Sequence, residues 1–322
     1  DGATLKGIRI GGDLILAPGV TKDVTLVDCV IQGNIRNYGT GEVRFEAPQI
    51  TPESTATKPS EVYKPGATLD RTLEYGGKTV PIYRDRPLNV FSDVDFIWTG
   101  EENENQRRLE YLGGEFRTRY GIDVSSFQGE IDWDAVADDN IDFAMVRVGF
   151  RGTGTGSLNT DKYYEQNIRG AMRAGLETGV YFFAQAVTVE EAIEEADYVI
   201  SLLDGLDING PVAYDWEMHD STYRVYGTSP EMATACAVAF CQRIKDAGYT
   251  PMVYGGTYVT YMKYDQGALA DYLSWYPEYK SEKSEKLCPT LVYHMDYWQF
   301  SSSRAVAGIN GRVDMNIQFI RR

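Results

Sequence analysis

The sequence predicts an α/β protein: a barrel-like parallel sheet over residues 116–322, preceded by a small all-β region over residues 1–115. Three observations carry this. From Tyr120 onward, short apolar runs alternate with longer segments of helical period, the pattern of strand–helix–strand units in a parallel sheet, most simply a barrel. Before that point the chain is Gly-rich and strand-like. Acidic residues also recur at the ends of the barrel strands, where barrels place their active sites. The length of 322 residues suffices for one large domain and one or two small ones.

In the N-terminal region, Gly12-Asp13-Leu14-Ile15-Leu16 returns 21 residues later as Gly33-Asn34-Ile35-Arg36, with Val24-Thr25-Leu26-Val27-Asp28-Cys29-Val30-Ile31 between them. This spacing fits a few rungs of a parallel β-solenoid, or a small sandwich. Residues 47–59, rich in Pro, Thr and Ser, read as a linker or long loop. Strand-like runs follow at 78–83 and from Val90-Phe91 to Phe96-Ile97-Trp98, and polar residues 100–105 mark a turn or boundary.

In the barrel region, residues 120–124 and 143–148 read as the first two strands. A helix over 161–174 stops at Gly175, a favoured residue just past a helix end. Residues 179–184 are the third strand. Thr188 with Glu191 forms a capping box for a helix reaching Leu203. Residues 211–214 are the fourth strand. Ser229-Pro230, an N-cap followed by proline, opens a helix that ends at Gly248. Residues 251–254 are the fifth strand. Apolar runs at 272–276, 292–300 and 313–317 complete the series with fewer helices between them.

Composition narrows the function. There are 31 Lys and Arg against 47 Asp and Glu, a net charge of −16, which disfavours nucleic acid and anionic membrane surfaces as partners. No apolar run reaches the roughly 18 residues that span a bilayer. The N-terminus, Asp1-Gly2-Ala3, reads as a mature or trimmed end. Only two histidines occur, His219 and His294, which leaves little room for a multi-His metal site. The 23 Tyr and 5 Trp suit stacking on sugar C–H faces, although a single Tyr more often packs at a half-buried position. Cys29, Cys236, Cys241 and Cys288 contain no C-x-x-C pair and read as free, buried thiols.

Four carboxylates stand at three strand ends: Asp123 at the first, Asp215 and Glu217 at the fourth, and Asp314 in the last. Residues two apart in extended chain face the same side, so Asp215 and Glu217 point together into the barrel mouth. Two close carboxylates in a partly dry site cannot both ionise easily, and one stays protonated. Such an acid can protonate a glycosidic oxygen while a second carboxylate stabilises the cationic sugar. An isolated Asp-x-Glu is usually a surface or turn pair; four acids at three strand ends of one barrel favour chemistry.

Other chemistries fit less well. No Gly-x-Ser-x-Gly elbow is present for a serine triad. His219 lacks a second His at helical spacing and reads as a loop residue, and His294, alternating with Tyr293 and Met295, reads as a packed or hydrogen-bonded one. The glycine-rich run 149–156 lacks the Lys-Ser/Thr of a phosphate-binding loop and reads as a flexible loop beside the cleft.

At these residues the chain resembles the family 25 glycoside hydrolases, the lysozymes of bacterial autolysins and phage endolysins. The resemblance lies in Tyr120-Gly121-Ile122-Asp123-Val124-Ser125 with Gln128-Gly129, and in Ile131-Asp132-Trp133. It continues through Phe143-Ala144-Met145-Val146-Arg147-Val148-Gly149, Gly179-Val180-Tyr181, Asp215-Trp216-Glu217, Trp298-Gln299-Phe300 and Gly311-Arg312-Val313-Asp314-Met315-Asn316. It covers residues 116–322 and is silent on 1–115.

The resemblance implies a flattened, incomplete (β/α)8-like barrel acting as an N-acetylmuramidase. Such an enzyme cleaves the β-1,4 bond between N-acetylmuramic acid and N-acetylglucosamine in bacterial peptidoglycan glycan strands. It implies Glu217 as general acid/base, Asp215 as stabiliser of positive charge or orienter of the 2-acetamido group, and Asp123 and Asp314 as the floor. It implies retention of configuration with substrate assistance. Tyr181, Trp298 and Gln299 are expected to face the sugar, and Tyr254, Trp275 and Tyr279 to form subsite walls. One departure is Trp275-Tyr276-Pro277-Glu278-Tyr279, where the family often has Trp-x-Ala-x-Tyr. No cofactor or metal is implied, and a monomer, secreted or associated with the cell wall, is expected. Two alternatives stand beside this: a binding or attachment protein that does not hydrolyse, and an N-terminal region that serves wall targeting.

Overall fold

The computed structural model describes residues 2–6, 9–10, 14–27, 30–31, 35–38, 40–46, 57–66, 68–100 and 107–322. Cys29, most of the 47–59 segment and the polar residues 101–105 lie outside them. The chain divides into two compact units, Asp1–Thr55 and Ala56–Arg322.

The first unit contains strands β1 (Thr4–Lys6), β2 (Arg9–Ile10), β3 (Leu14–Leu16), β4 (Val24–Val27), β5 (Val30–Ile31), β6 (Ile35–Asn37) and β7 (Val43–Glu46). Among the described residues they pair in parallel, as β1-β4-β7, β2-β5 and β3-β6. Thr4 lies beside Thr25, Arg9 beside Val30 and Leu14 beside Ile35, so the chain returns on itself at the 21-residue spacing of the sequence repeat. Parallel stacking at that interval is how solenoid rungs associate, whereas a sandwich pairs antiparallel neighbours. Leu16, Val24 and Leu26 form the small core of this unit.

The second unit begins with a short helix α1 (Pro59–Val62) and the hairpin β8 (Leu69–Tyr75) and β9 (Lys78–Tyr83). Gly76 and Gly77 turn the hairpin with φ of 57° and 72°, a region open to glycine. Strands β10 (Phe96–Thr99) and β11 (Arg108–Tyr111) form a second antiparallel pair. Two-stranded ribbons are marginal alone. These bury Val80, Ile82, Phe96, Trp98 and Leu109 in the same core as barrel residues Ile122, Trp298, Phe300 and Phe319. The division therefore falls at Thr55 rather than near residue 115, because residues 57–111 share the barrel's core.

The barrel strands are β12 (Phe116–Val124), β13 (Phe143–Arg151), β15 (Glu177–Ala184), β16 (Val212–Trp216), β17 (Pro251–Tyr254), β18 (Leu273–Pro277), β19 (Tyr297–Arg304) and β20 (Val313–Arg321), with β14 (Leu158–Thr160) as an outer partner of β13. β12 pairs with both β13 and β20, which closes an eight-stranded ring. Helices α2 (Trp133–Asp138), α3 (Tyr164–Arg173), α4 (Val189–Leu202), α5 (Pro230–Asp246) and α6 (Thr257–Met262) follow the first five barrel strands. No helix lies among the described residues after α6, and β20 runs antiparallel to both its neighbours. The strand–helix repeat is thus incomplete although the ring is closed.

Local signals act as their chemistry dictates. Ser229 caps α5, accepting from the Met232 amide at 3.2 Å. Gly175 ends α3 at φ 85°, with the Gly175 and Leu176 amides donating back to Met172 and Ala171. Thr188 caps α4, but the Glu191 carboxylate accepts from Val187 N–H rather than from Thr188, and it also receives Arg224. In the glycine-rich run 149–156, Gly149 to Arg151 pair with Leu158 to Thr160 in a hairpin and residues 152–156 form its turn, and none of them lines the cleft.

Side-chain alternation sorts the barrel into faces. Phe143, Met145, Ala213, Met252, Tyr254, Trp275 and Tyr297 fill the interior, while the residues between them pack outward. Gly121 leaves room there, since a Cβ would run into the Phe143 ring. Among the described residues no helix is long and apolar enough to cross a membrane.

Candidate active site

Continuing each inward parity toward the strand ends replaces the apolar layer by a polar one. Phe143 and Met145 are followed by Arg147, Ala213 by Asp215 and Glu217, and Tyr297 by Gln299. Gly121 is followed by Asp123, and antiparallel β20 contributes Asn316 and Asp314. Asp123, Arg147, Asp215, Glu217, Gln299 and Asp314 line a cavity of about 320 Å³ together with Ser125, Phe127, Gln128, Tyr181, Phe183, His219, Tyr254, Trp275 and Tyr279, and Asn316 bonds Asp123 without lining it. A second cavity continues from Glu217 and His219 past Tyr226 and Tyr258.

Asp123 is buried in this cavity. Its Oδ2 accepts from Gln299 Nε2 and Asn316 Nδ2, each at 2.8 Å, and burial nevertheless pushes its carboxyl up to about 6. Asp314 pairs directly across from it in the antiparallel register. Burial, then the neighbouring Asp123 charge, pushes Asp314 up to about 8. Asp215 is buried, with Oδ1 unpartnered, and is held well above the usual carboxylate range by burial and then by Glu217. Glu217 is raised too, chiefly by burial, with His219 and the hydrogen bond to Asp215 opposing. The neighbouring Glu217 charge adds to burial in raising Asp215, so the two carboxyl groups resist being charged together.

The aromatic and amide residues form a connected support. Gln299 Oε1 accepts from the hydroxyls of Tyr254 (3.1 Å) and Tyr279 (3.0 Å). Trp275 Nε1 donates to Asn316 Oδ1 at 2.8 Å, and Tyr181 stands edge-on to the Trp275 ring. Tyr254 and Trp275 are buried and belong to the floor, whereas Tyr279 is exposed at the rim. Trp298 does not reach the cavity. It is fully buried on the outer face of β19, against Phe96 and Phe300, with its indole donating to Glu278 O at 3.0 Å. It cannot face the sugar with Gln299, because adjacent strand residues point to opposite sides.

Several residues without a role in the sequence reading stand in or beside the cavity. Arg147 lies between the rings of Phe127 and Phe150 and pairs with buried Asp161 at 2.8 Å. His219 is not a bystander in a loop: its Nε2 lies 3.2 Å from Glu217 Oε2. Asn316 holds Asp123, and Phe127 is exposed beside Arg147. Arg147 and Asn316 were findable by strand parity; the His219 contact depends on how its loop folds back. His294 is packed, stacked on Phe116 with ring centres 5.0 Å apart. Cys236 and Cys241 are free and buried, but Cys288 is only half-buried, near Asp93. Among the described residues no group of three or more His, Cys, Asp or Glu side chains is placed to hold a metal ion.

Residues 122–309 match the profile of glycosyl hydrolases family 25. The chain belongs to that family. It is similar to the autolytic lysozyme of Clostridium acetobutylicum, at 26% identity over 197 residues, covering 61% of this chain and 54% of that protein. It is also similar to lysozyme M1 of Streptomyces globisporus, at 27% identity over 201 residues, covering 61% and 66%. The structure of the modular autolysin LytC of Streptococcus pneumoniae superposes with a TM-score of 0.53 and 25% identity, covering 77% of this chain and 57% of that one. The chain thus spans about half the length of the Clostridium relative. The family 25 match ends before β20, so Asp314 and Asn316 lie beyond it.

Proposed function

We propose that this family 25 barrel hydrolyses the β-1,4 bond between N-acetylmuramic acid and N-acetylglucosamine in bacterial peptidoglycan, as a protein secreted or associated with the cell wall. The observation that carries the proposal is the pair Asp215 and Glu217 lining one cavity walled by Tyr181, Tyr279 and Phe127. Burial raises both carboxyls, so the pair holds a proton more tightly than free carboxyls do and can deliver it to a glycosidic oxygen.

Glu217 serves as the acid, since it stands next to the second cavity and is the less buried of the two. Asp215 acts on the substrate's 2-acetamido group, as in the substrate-assisted exceptions to the two-carboxylate scheme. It accepts the amide N–H and orients the carbonyl oxygen, which attacks C1 as Glu217 protonates the departing oxygen. The Glu217 carboxylate then takes a proton from water as the water oxygen bonds to C1 and the bond from C1 to the acetamido oxygen breaks, which restores the acetamide and retains configuration. Asp123 and Asp314 hold the floor, with Gln299 and Asn316 fixing Asp123.

Purified peptidoglycan digested with wild type and with Glu217→Gln tests this. The wild type releases products with muramic acid at the new reducing end, identified by mass analysis. The variant loses about 10²- to 10⁴-fold in rate while melting at the same temperature. Full activity in the variant, or a glucosamine reducing end, overturns the assignment.

A further inference from the structure

The parallel ladder between β15 and β16 ends at the pair Ala184 and Trp216. The next rung would join residues 185 and 217. There the backbone does not pair, and a side chain takes over: Gln185 Nε2 donates to the Glu217 carbonyl oxygen at 2.8 Å. One residue on, the Trp216 indole donates to Ala186 O at 3.1 Å. The segment carrying both Asp215 and Glu217 is thus tied to residues 185–186 at two points.

Gln185 is itself anchored by buried charge. Its N–H donates to Glu195 Oε1 (3.0 Å), which also receives Arg151 Nε (2.8 Å). Its carbonyl accepts from Arg224 Nη1 (2.9 Å), and Arg224 in turn grips Glu191 with two bonds of 2.9 and 2.7 Å. Gln185 and Glu195 are fully buried. None of Gln185, Glu195, Arg151 or Glu191 lines the cavity. Packing alone does not account for Gln185: among the described residues its Oε1 has no partner, and a buried amide with an unpartnered oxygen is costly where an apolar side chain would fill the space.

We propose that Gln185 is a positioning residue for Glu217: from the buried Arg151–Glu195 and Arg224–Glu191 pairs it fixes the backbone of the proton donor just where the strand ladder stops. This rests on the reading of Glu217 as the acid. A displacement of about 1 Å in a catalytic group costs up to about 100-fold in rate without touching substrate binding.

Gln185→Met keeps the length and volume and removes the donor. On soluble glycan strands, kcat per folded molecule is expected to fall about 10- to 100-fold with KM within about two-fold. Amide hydrogen exchange at residues 217–220 is expected to quicken in the intact protein while that of α4 stays unchanged. The inference is overturned if kcat stays within about two-fold of wild type, if the loss disappears on correcting for folded protein, or if exchange at 217–220 is unaltered. If Gln185→Met does not fold, Gln185→Asn, too short to reach the Glu217 carbonyl, is judged by the same two readouts. A wild type that cleaves no glycan defeats the reading of Glu217, and the exchange measurement still decides whether Gln185 holds its backbone.

Discussion

His219 Nε2 stands 3.2 Å from Glu217 Oε2, so the side chain proposed to donate the proton carries an imidazole at its solvent side. A charged imidazole favours the ionised carboxylate and opposes the rise that burial imposes on Glu217. Removing it leaves Glu217 protonated to higher pH. In His219→Gln the alkaline limb of the kcat/KM profile should move upward by about half a pH unit or more. A limb that stays in place or moves downward would show that His219 does not tune the acid.

Asp123 and Asp314 face each other, raised to about 6 and about 8. A carboxyl whose pKa is higher folded than unfolded binds its proton more tightly in the native state. Stability is therefore greatest below the unfolded value, near 4, and declines as pH rises through the folded value. Wild type should lose melting temperature between about pH 4 and pH 8, and Asp314→Asn should lose less, melting about 3 °C or more above wild type at pH 8. The two should converge near pH 4. Parallel melting curves across that range would refute the pairing.

Gly170 in α3 sits against the buried indole of Trp133 in α2, where a Cβ would collide with the ring. Gly170→Ala adds helix propensity but forces Trp133 to move. The collision should dominate and destabilise the fold by about 1–3 kcal/mol. Denaturant unfolding reads this directly, and a more stable variant would mean the indole yields freely.

Two truncations separate the possible domain boundaries. Every residue lining the cleft lies between Asp123 and Asp314, and the Asp1–Thr55 unit has its own core. A chain starting at residue 57 should fold and cleave soluble glycan at a rate within about three-fold of the full chain, with weaker binding to whole cells if the first unit targets the wall. A chain starting at residue 116 strips Val80, Ile82, Phe96, Trp98 and Leu109 from the barrel's core and should aggregate. If the shorter chain folds as well as the longer one, residues 57–115 are not part of the barrel's core.

The sequence by itself determined the features that depend on near neighbours along the chain. Helix caps at Thr188 and Ser229, the glycine stop at Gly175 and the strand parity that points Asp215 and Glu217 the same way are local consequences of backbone geometry. Parity also held the correction for Trp298, since its neighbour Gln299 already claims the inward face. The 21-residue return was legible because stacked rungs repeat their apolar positions. Only the tertiary structure decided which distant segments meet. Barrel closure sets Asp314 opposite Asp123, 191 positions earlier in the chain, through an antiparallel last strand that periodicity cannot orient. The fold of the loop after β16 brings His219 back to Glu217, and burial raises the acids that a linear reading leaves at ordinary values. The ribbons of residues 69–111 join the barrel because two strands alone bury too little apolar surface to stand apart, and that balance is set by three-dimensional contact rather than by any local signal.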